Sequence, residues 1–324
     1  MTSTSQRTAT RQSGVALVAV VVVLAAVFRP VLSNLLDKPA IANWATVFVA
    51  ITLQAVPFLV LGVTISAAIA AYVPPALLTR LLPSRGQAAV PVAALAGALL
   101  PGCECGSVPI ARRLIDRGAP TAAALAFLLA APAINPVVLV ATAVAFPGRP
   151  EMVAARFLAS LLASVLVGWC WLRIGRTDLL RSRHRSHEHV GTRREVLLAA
   201  ASHDFLSAGG FLIIGAATAA TLQTVVPRTV LDHLAGSGAL ALLALGVLAV
   251  IMAICSEADA FIAASLRQFS ATAQLAFMVV GPMVDVKLVA LQAGTFGRAF
   301  TIRFAPLTFA AALGSAALVG WWLL

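Results

Sequence analysis

Long apolar segments without a single charged residue most restrict what this chain can fold into. Residues 44–73 and 119–146 are two of them, and about 20 such residues cross the roughly 30 Å hydrocarbon core of a bilayer as a helix. Hydrophobic residues make up 60% of the chain and charged residues 11%, which excludes an ordinary soluble domain. Lipid cannot satisfy backbone polar groups, so irregular backbone does not face it. The sequence therefore predicts an all-α, polytopic integral membrane protein.

The net charge of +11 could suggest nucleic acid as a partner. Here the basic residues fall between the apolar segments, with seven arginines within 173–195. Arginine and lysine accumulate in cytoplasmic loops of membrane proteins. The basic residues thus indicate which loops lie in the cytoplasm. The lipid bilayer is the expected partner, and binding of nucleic acid is not expected. Four irregularly spaced cysteines do not form a disulfide framework.

The chain divides into five predicted regions. Arg29-Pro30 follows the first apolar run without a small-residue cleavage site, so we expect a retained helix there rather than a signal peptide. The regions are a disordered cytoplasmic tail (1–13), an additional transmembrane helix (14–33), a first repeat (44–173), a basic cytoplasmic linker (174–202) and a second repeat (203–324).

An internal repeat is the main organisational signal. Residues 150 positions apart match in order: Cys105 with Cys255, Pro132 with Pro282, and Asn135 with Asp285. Interrupted helices at corresponding positions of two repeats indicate a transporter's binding site. Inverted repeats are favoured because they place the basic loops on one side, and parallel repeats are the alternative.

Residues 101–109 read PGCECGSVP and interrupt an apolar region. Proline and glycine disfavour helix interiors, and a helix break inside a membrane is tolerated where it lines a cavity or is buried in protein. The residues expected to shape this break and its counterparts are Gly102, Gly106, Pro109, Pro132, Pro136 and Pro282.

The candidate substrate site combines thiols, acids and one amide near the middle of the bilayer. An idle ionised side chain there costs on the order of 3 kcal/mol, so function is the expected reason for the acids. Thiols favour soft ions such as Cu(I), Zn²⁺ and trivalent arsenic. The candidate residues are Cys103, Cys105, Cys255, Asn135, Glu257, Asp259 and Asp285, with the first three as metal ligands.

Three stretches carry a resemblance to a known family. They are PGCECGSVPIARRLIDRGAPTAAALAFLLAAPAINP, CSEADAFIAAS and LAFMVVGPMVDVK. The chain resembles the bacterial predicted-permease family that includes the organoarsenical efflux permeases. This resemblance implies a multi-pass permease of the bacterial inner membrane, with cysteines in the substrate site, and by matching position it points to Cys103, Cys105 and Cys255.

We therefore predict a secondary transporter, not an enzyme, that exports a soft metal, metalloid or organoarsenical-like solute. It needs no cofactor, and an accessory membrane protein or a second copy would be its protein partner. Two alternatives stay open. A membrane thiol oxidoreductase would use Cys103 and Cys105, and a scaffold for a partner protein would transport nothing.

Overall fold

A computed structural model describes residues 38–72, 83, 85–100, 103–174, 193–225 and 238–324. Every regular element in these residues is an α-helix, as predicted. Helices α1 to α6 are Pro39–Tyr72, Gly86–Gly97, Glu104–Asp116, Thr121–Ile134, Pro136–Ala145 and Pro150–Ile174. Helices α7 to α12 are Arg193–Val225, Gly238–Met252, Asp259–Ser265, Ala271–Met283, Val286–Thr295 and Arg298–Leu323.

Six segments of the described residues are long and apolar enough to cross a membrane. Three lie in each half of the chain: Pro39–Tyr72, Thr121–Ala145, Pro150–Ile174, Leu197–Thr224, Ala271–Thr295 and Arg298–Leu323. Helices α2 and α3 have 12 and 13 residues, about 18 to 20 Å at 1.5 Å per residue. Neither reaches across the roughly 30 Å hydrocarbon core alone.

The predicted tail 1–13, the predicted helix 14–33 and Gly102 lie outside the described residues. The predicted linker 174–202 is described from residue 193, where α7 already begins. Glu195 lies in its first turn, where a negative side chain is favourable against the helix dipole, and apolar residues follow directly. Residues 193–202 are therefore the beginning of α7.

The two halves of the described chain have helices in the same order and, except for α9, which is about half as long as α3, of similar length. The lengths are 34, 12, 13, 14, 10 and 25 residues for α1 to α6, and 33, 15, 7, 13, 10 and 26 for α7 to α12. Contacts between the halves are reciprocal: α3 packs on α11 and α5 on α9, while α4 packs on α10 and α6 on α12. The repeat itself, and its inverted sense, stays a prediction.

The core lies around α4 and α10. The spans that contain them, Thr121–Ala145 and Ala271–Thr295, are 78% and 83% buried, against 33% for Arg298–Leu323. Helix α4 packs on α2, α3 and α6, and α10 packs on α8, α9 and α12. Residues Phe48–Leu324 form one compact unit, which contains all of this packing and the candidate site.

Candidate functional site

The first helix break separates α2 from α3. Helix α2 ends at Gly97, and α3 begins at Glu104, with Cys103 in an extended conformation as its N-cap. Glu104 lies in the first turn of α3, where the positive end of the helix dipole favours a carboxylate. Only Cys103 of the predicted thiol pair therefore lies outside regular helix, because Cys105 is already part of α3.

The second break lies between α8 and α9. Its backbone leaves the helical conformation at Ala253, which has a positive φ of 45°, a strained conformation for a residue with a side chain. The Gln223 side chain donates to the Met252 carbonyl at the end of α8, so this freed acceptor is satisfied. Cys255 and Ser256 follow within the break and are both buried.

The two breaks bring three potential ligands together. A sulfur atom from each of Cys103 and Cys255 and a carboxylate oxygen of Glu104 lie within 4.8 Å of one another. Their side chains are 1%, 4% and 1% exposed, respectively. Two sulfurs bound to one metal at about 2.3 Å are at most about 4.6 Å apart, so small side-chain rotations would let all three bind one soft ion.

Cys105 and Glu257 flank this group of three. Cys105 is buried and within hydrogen-bonding reach of Cys103, but its sulfur is not part of the group. Glu257 is half-buried, and its Oε2 accepts a hydrogen bond from the Cys255 thiol at 2.5 Å. The sequence predicted all three cysteines as metal ligands, whereas the structure groups Cys103 with Cys255 and leaves the Cys105 sulfur outside the group.

Lys287 lies between two buried carboxylates. Its Nζ is 2.5 Å from Oε1 of Glu104 and 3.6 Å from Oδ2 of Asp285. All three side chains are at most 4% exposed. Glu104 and Lys287 belong to α3 and α11, so this ion pair also connects the two halves. Oε2 of Glu104 and Oδ2 of Asp285 have no hydrogen-bond partner among the described residues.

A second buried ion pair holds Asp259, the first residue of α9. The two terminal nitrogens of Arg156 donate to the two carboxylate oxygens of Asp259, at 2.8 and 2.7 Å. Arg156 also donates to Oγ1 of Thr142 at 2.9 Å and to the carbonyl of Ser256 at 3.2 Å. The predicted substrate ligand Asp259 is thus fully engaged by the other half of the chain.

Asn135 and Asp285 have the same local role. Asn135 caps α5 by accepting from the backbone N–H of Val138 at 3.0 Å, and Asp285 caps α11 by accepting from that of Leu288 at 2.6 Å. Short polar side chains at N-caps satisfy donors that the helix leaves free. The Asn135 amide also donates to the carbonyl of Ala131 at 3.1 Å. Any contact of either residue with a solute stays a prediction.

An apolar cavity adjoins the ligand group. It has a volume of about 20 Å³, room for about one water-sized group, and lies between α1, α3 and α4. Its lining includes Phe58, Leu100, Cys103, Ser107 and Phe127. The cavity gives Cys103 a hydrocarbon-lined neighbouring space, which suits an apolar substituent better than a hydrated ion.

The predicted break residues divide into two groups. Gly106 and Pro109 do not lie at a break: both are inside α3, which has already begun at Glu104. Pro136 is the first residue of α5. An N–H at this position would have no acceptor within the helix, so proline removes no helical hydrogen bond there. Pro132 and Pro282 lie near the ends of α4 and α10, where each removes one helical hydrogen bond just before the interruption.

Arg156, the basic partner of Asp259, was not among the residues predicted from the sequence. Arg156 and Lys287 both lie in apolar segments, where a charged residue indicates a buried partner. This signal marks Lys287, two residues after Asp285, as a partner for a carboxylate, and it could also have found Arg156. A third pair, Arg113 with Asp204 at 2.7 Å, connects α3 and α7. Oγ of Ser66 donates to the same carboxylate at 3.0 Å.

Comparison with known proteins places the chain. It matches the ArsP_1 family, described as "Predicted permease", over residues 40–320. The UPF0718 protein YcgR of Bacillus subtilis (strain 168) is 36% identical over 262 residues, which cover 79% of this chain and 89% of the relative. A Streptococcus mutans protein, provisionally named as a two-component membrane permease complex subunit, is 31% identical over 266 residues, covering 80% and 88%. No solved structure matches. With this match and its six apolar spans, the chain belongs to the predicted-permease family and is a multi-pass bacterial membrane permease.

Proposed function

We propose that this permease is a secondary transporter that exports a soft metal, metalloid or organoarsenical-like solute. The observation that carries the proposal is the grouping of Cys103, Glu104 and Cys255 within 4.8 Å. These ligands come from breaks in opposite halves of the chain. Movement of one half against the other would therefore assemble or open the site, as alternating access requires.

The helix pattern supports an inverted arrangement of the halves. Among the described residues, each half contributes three spans and a pair of short helices around a break. A half with three crossings begins and ends on opposite sides, so its successor runs through the membrane in the opposite sense. The short helices would then enter and leave on one side, which would hold each break near the middle of the bilayer.

The acids of the predicted site have different roles in this proposal. Glu104 is a ligand. Asp259 fixes the second break through Arg156, since both of its oxygens already accept from that guanidinium. Glu257 and Asp285 are proposed as proton-coupling or cation-binding acids. The small apolar cavity beside Cys103 supports solutes that carry a small apolar group such as a methyl.

A partner protein is a further part of the proposal. The name of the Streptococcus mutans relative describes a subunit of a two-component complex. By analogy we propose that this chain works with an accessory membrane protein or a second copy. Co-purification from the native membrane, with and without cross-linking, would identify that partner.

Solute binding by the purified protein tests the proposal. Wild type and a Cys103→Ser/Cys255→Ser variant would be titrated under reducing conditions with Zn²⁺, Cu(I), arsenite and methylarsenite, with Cys170→Ser as a control. One bound solute per chain in wild type and the control, and none in the double variant, is expected. The idea fails if no probe binds while wild type remains folded.

Transport by the protein alone in liposomes separates this function from the two alternatives. An exporter moves the bound solute across the vesicle membrane, whereas a scaffold moves none. The oxidoreductase alternative is supported by the Cys103 and Cys105 thiols, which lie within hydrogen-bonding distance of each other. It requires that this pair alternate between thiols and a disulfide during turnover, which thiol alkylation and mass spectrometry would detect.

A further inference from the structure

Lys287 places a positive charge directly beside the proposed ligand group. Its Nζ is 2.5 Å from Oε1 of Glu104, the same carboxylate that lies within 4.8 Å of the sulfurs of Cys103 and Cys255. A carboxylate that binds a metal ion must turn its electron pairs toward the metal. The ammonium of Lys287 and a cationic solute would therefore both draw on the Glu104 carboxylate, and their like charges would repel each other.

The backbone of Lys287 is fixed by close packing, but its ammonium group can move toward a second carboxylate. Helix α7 approaches so closely that a methyl group on Gly215 would meet the backbone of Lys287 at 2.6 Å. The backbone is thus fixed against α7. Oδ2 of Asp285 lies 3.6 Å from the ammonium and has no hydrogen-bond partner among the described residues. The ammonium already forms a longer ion pair with Asp285, and a small rotation of the side chain would move its charge away from Glu104 and closer to Asp285.

We propose that Lys287 is an internal counter-cation that decides which solutes the site accepts. It occupies Glu104 when the site is empty, and a cationic solute must displace it toward Asp285. The inference rests on the proposed function, because it concerns the same ligand group. It adds a specificity-determining residue and a charge rule for the substrate.

The charge rule follows from how different solutes bind two thiols. Methylarsenite, CH₃As(OH)₂, condenses with two thiols to give CH₃As(SR)₂ and two waters, with no change in the oxidation state of arsenic. This product is neutral and does not need Glu104. Zinc brings two positive charges into the space beside the ammonium, where the dielectric constant is low and repulsion is strong. Lys287 therefore disfavours zinc and leaves the neutral metalloid unaffected.

The ratio of two affinities tests this proposal. Zinc and methylarsenite would each be titrated into purified wild type and Lys287→Met under reducing conditions. We expect zinc to bind at least about tenfold more tightly to the variant, because a like charge within a few ångströms is gone. Methylarsenite affinity should change less than about threefold. A purely structural role of Lys287 would change both affinities in parallel.

A second comparison keeps the test decisive if Lys287→Met leaves Glu104 unpaired and does not fold. Neither Glu104→Gln nor Glu104→Gln/Lys287→Met contains the Glu104 carboxylate. The two variants differ only in the positive charge of Lys287. The double variant should bind zinc at least about tenfold more tightly than Glu104→Gln. Asp285→Asn should weaken zinc binding and spare methylarsenite, because asparagine still caps α11 but no longer receives the ammonium.

The outcomes distinguish the two levels of the argument. If wild type binds both probes through its cysteines but removal of Lys287 leaves their affinity ratio unchanged, the counter-cation inference is wrong and the proposed function stands. If neither probe binds wild type or any variant, the proposed function is wrong and the inference falls with it.

Discussion

Arg156 and Asp259 form a buried bidentate ion pair, with nitrogen–oxygen distances of 2.8 and 2.7 Å. Arg156 lies in α6 and Asp259 begins α9, so the pair joins opposite halves of the chain. The carbonyl of Ser256 is held by the same guanidinium. Because Cys255 directly precedes Ser256, this pair positions a proposed ligand without touching the solute.

Loss of Arg156 should destabilise the protein strongly. Arg156→Met leaves the carboxylate of Asp259 buried and unpaired, and removing one partner of a buried pair typically costs about 3 to 5 kcal/mol. Unfolding in mixed detergent micelles would measure the change. Arg303→Met is the matched control, because Arg303 is an exposed arginine in α12. This substitution should change stability by less than about 0.5 kcal/mol. Similar losses in both variants would contradict the structural role.

The three buried cysteines should not contribute equally to solute binding. Cys103→Ser or Cys255→Ser removes a member of the ligand group and should weaken binding of a soft ion by at least about tenfold, as even outer-shell losses at metal sites reach that size. Cys105→Ser should change it less than about threefold, because the Cys105 sulfur lies outside the group. Isothermal titration with Zn²⁺ would show the order, and Cys170→Ser should match wild type. An effect of Cys105→Ser as large as that of Cys103→Ser would contradict the grouping.

Some of the site could be predicted from sequence because its signals are local. The apolar segments predict the helices, and prolines and polar residues predict the interruptions at Asn135 and Asp285. The sequence places Cys103, Cys105 and Cys255 in one site. It could not predict that Cys255 joins the ligand group while Cys105 stays outside it, since this depends on how two distant breaks approach each other. The same holds for the partners of the acids: Arg156 and Asp259 are 103 positions apart, and no local pattern connects them.

The positions of Gly106 and Glu104 show that residue propensities alone do not predict where a buried helix begins. Glycine and proline suggested an irregular segment through Pro109, but α3 begins at Glu104 because tertiary contacts outweigh these propensities. Gly106 serves close packing instead: a methyl group there would lie 2.9 Å from the carbonyl of Phe58 in α1. Small residues allow such close approach of membrane helices.

The contact of Gly62 with Gly106 therefore gives a prediction about stability. Gly62→Ala would push a methyl group into the backbone of Gly106, and overpacking of this kind typically costs about 1 to 3 kcal/mol. The collision would also move α3 and weaken solute binding. Gly210→Ala is the matched control, because Gly210 lies in α7 with open space around it and alanine is the better helix former. Denaturation in detergent would compare the two, and equal stability of both variants would exclude the close approach.

Asn135 has two possible roles, helix capping and solute binding, and two substitutions can separate them. Both ends of its amide are used locally, by the N–H of Val138 and the carbonyl of Ala131. Asn135→Ala should therefore cost about 1 to 2 kcal/mol of stability, through the lost cap and the unsatisfied backbone groups. Asn135→Ser keeps an N-cap and should recover most of that loss. If Asn135 is only a cap, the serine variant should bind methylarsenite within about threefold of wild type. A folded serine variant that has lost methylarsenite binding would show instead that the Asn135 amide contacts the solute, as its position in the repeat predicts.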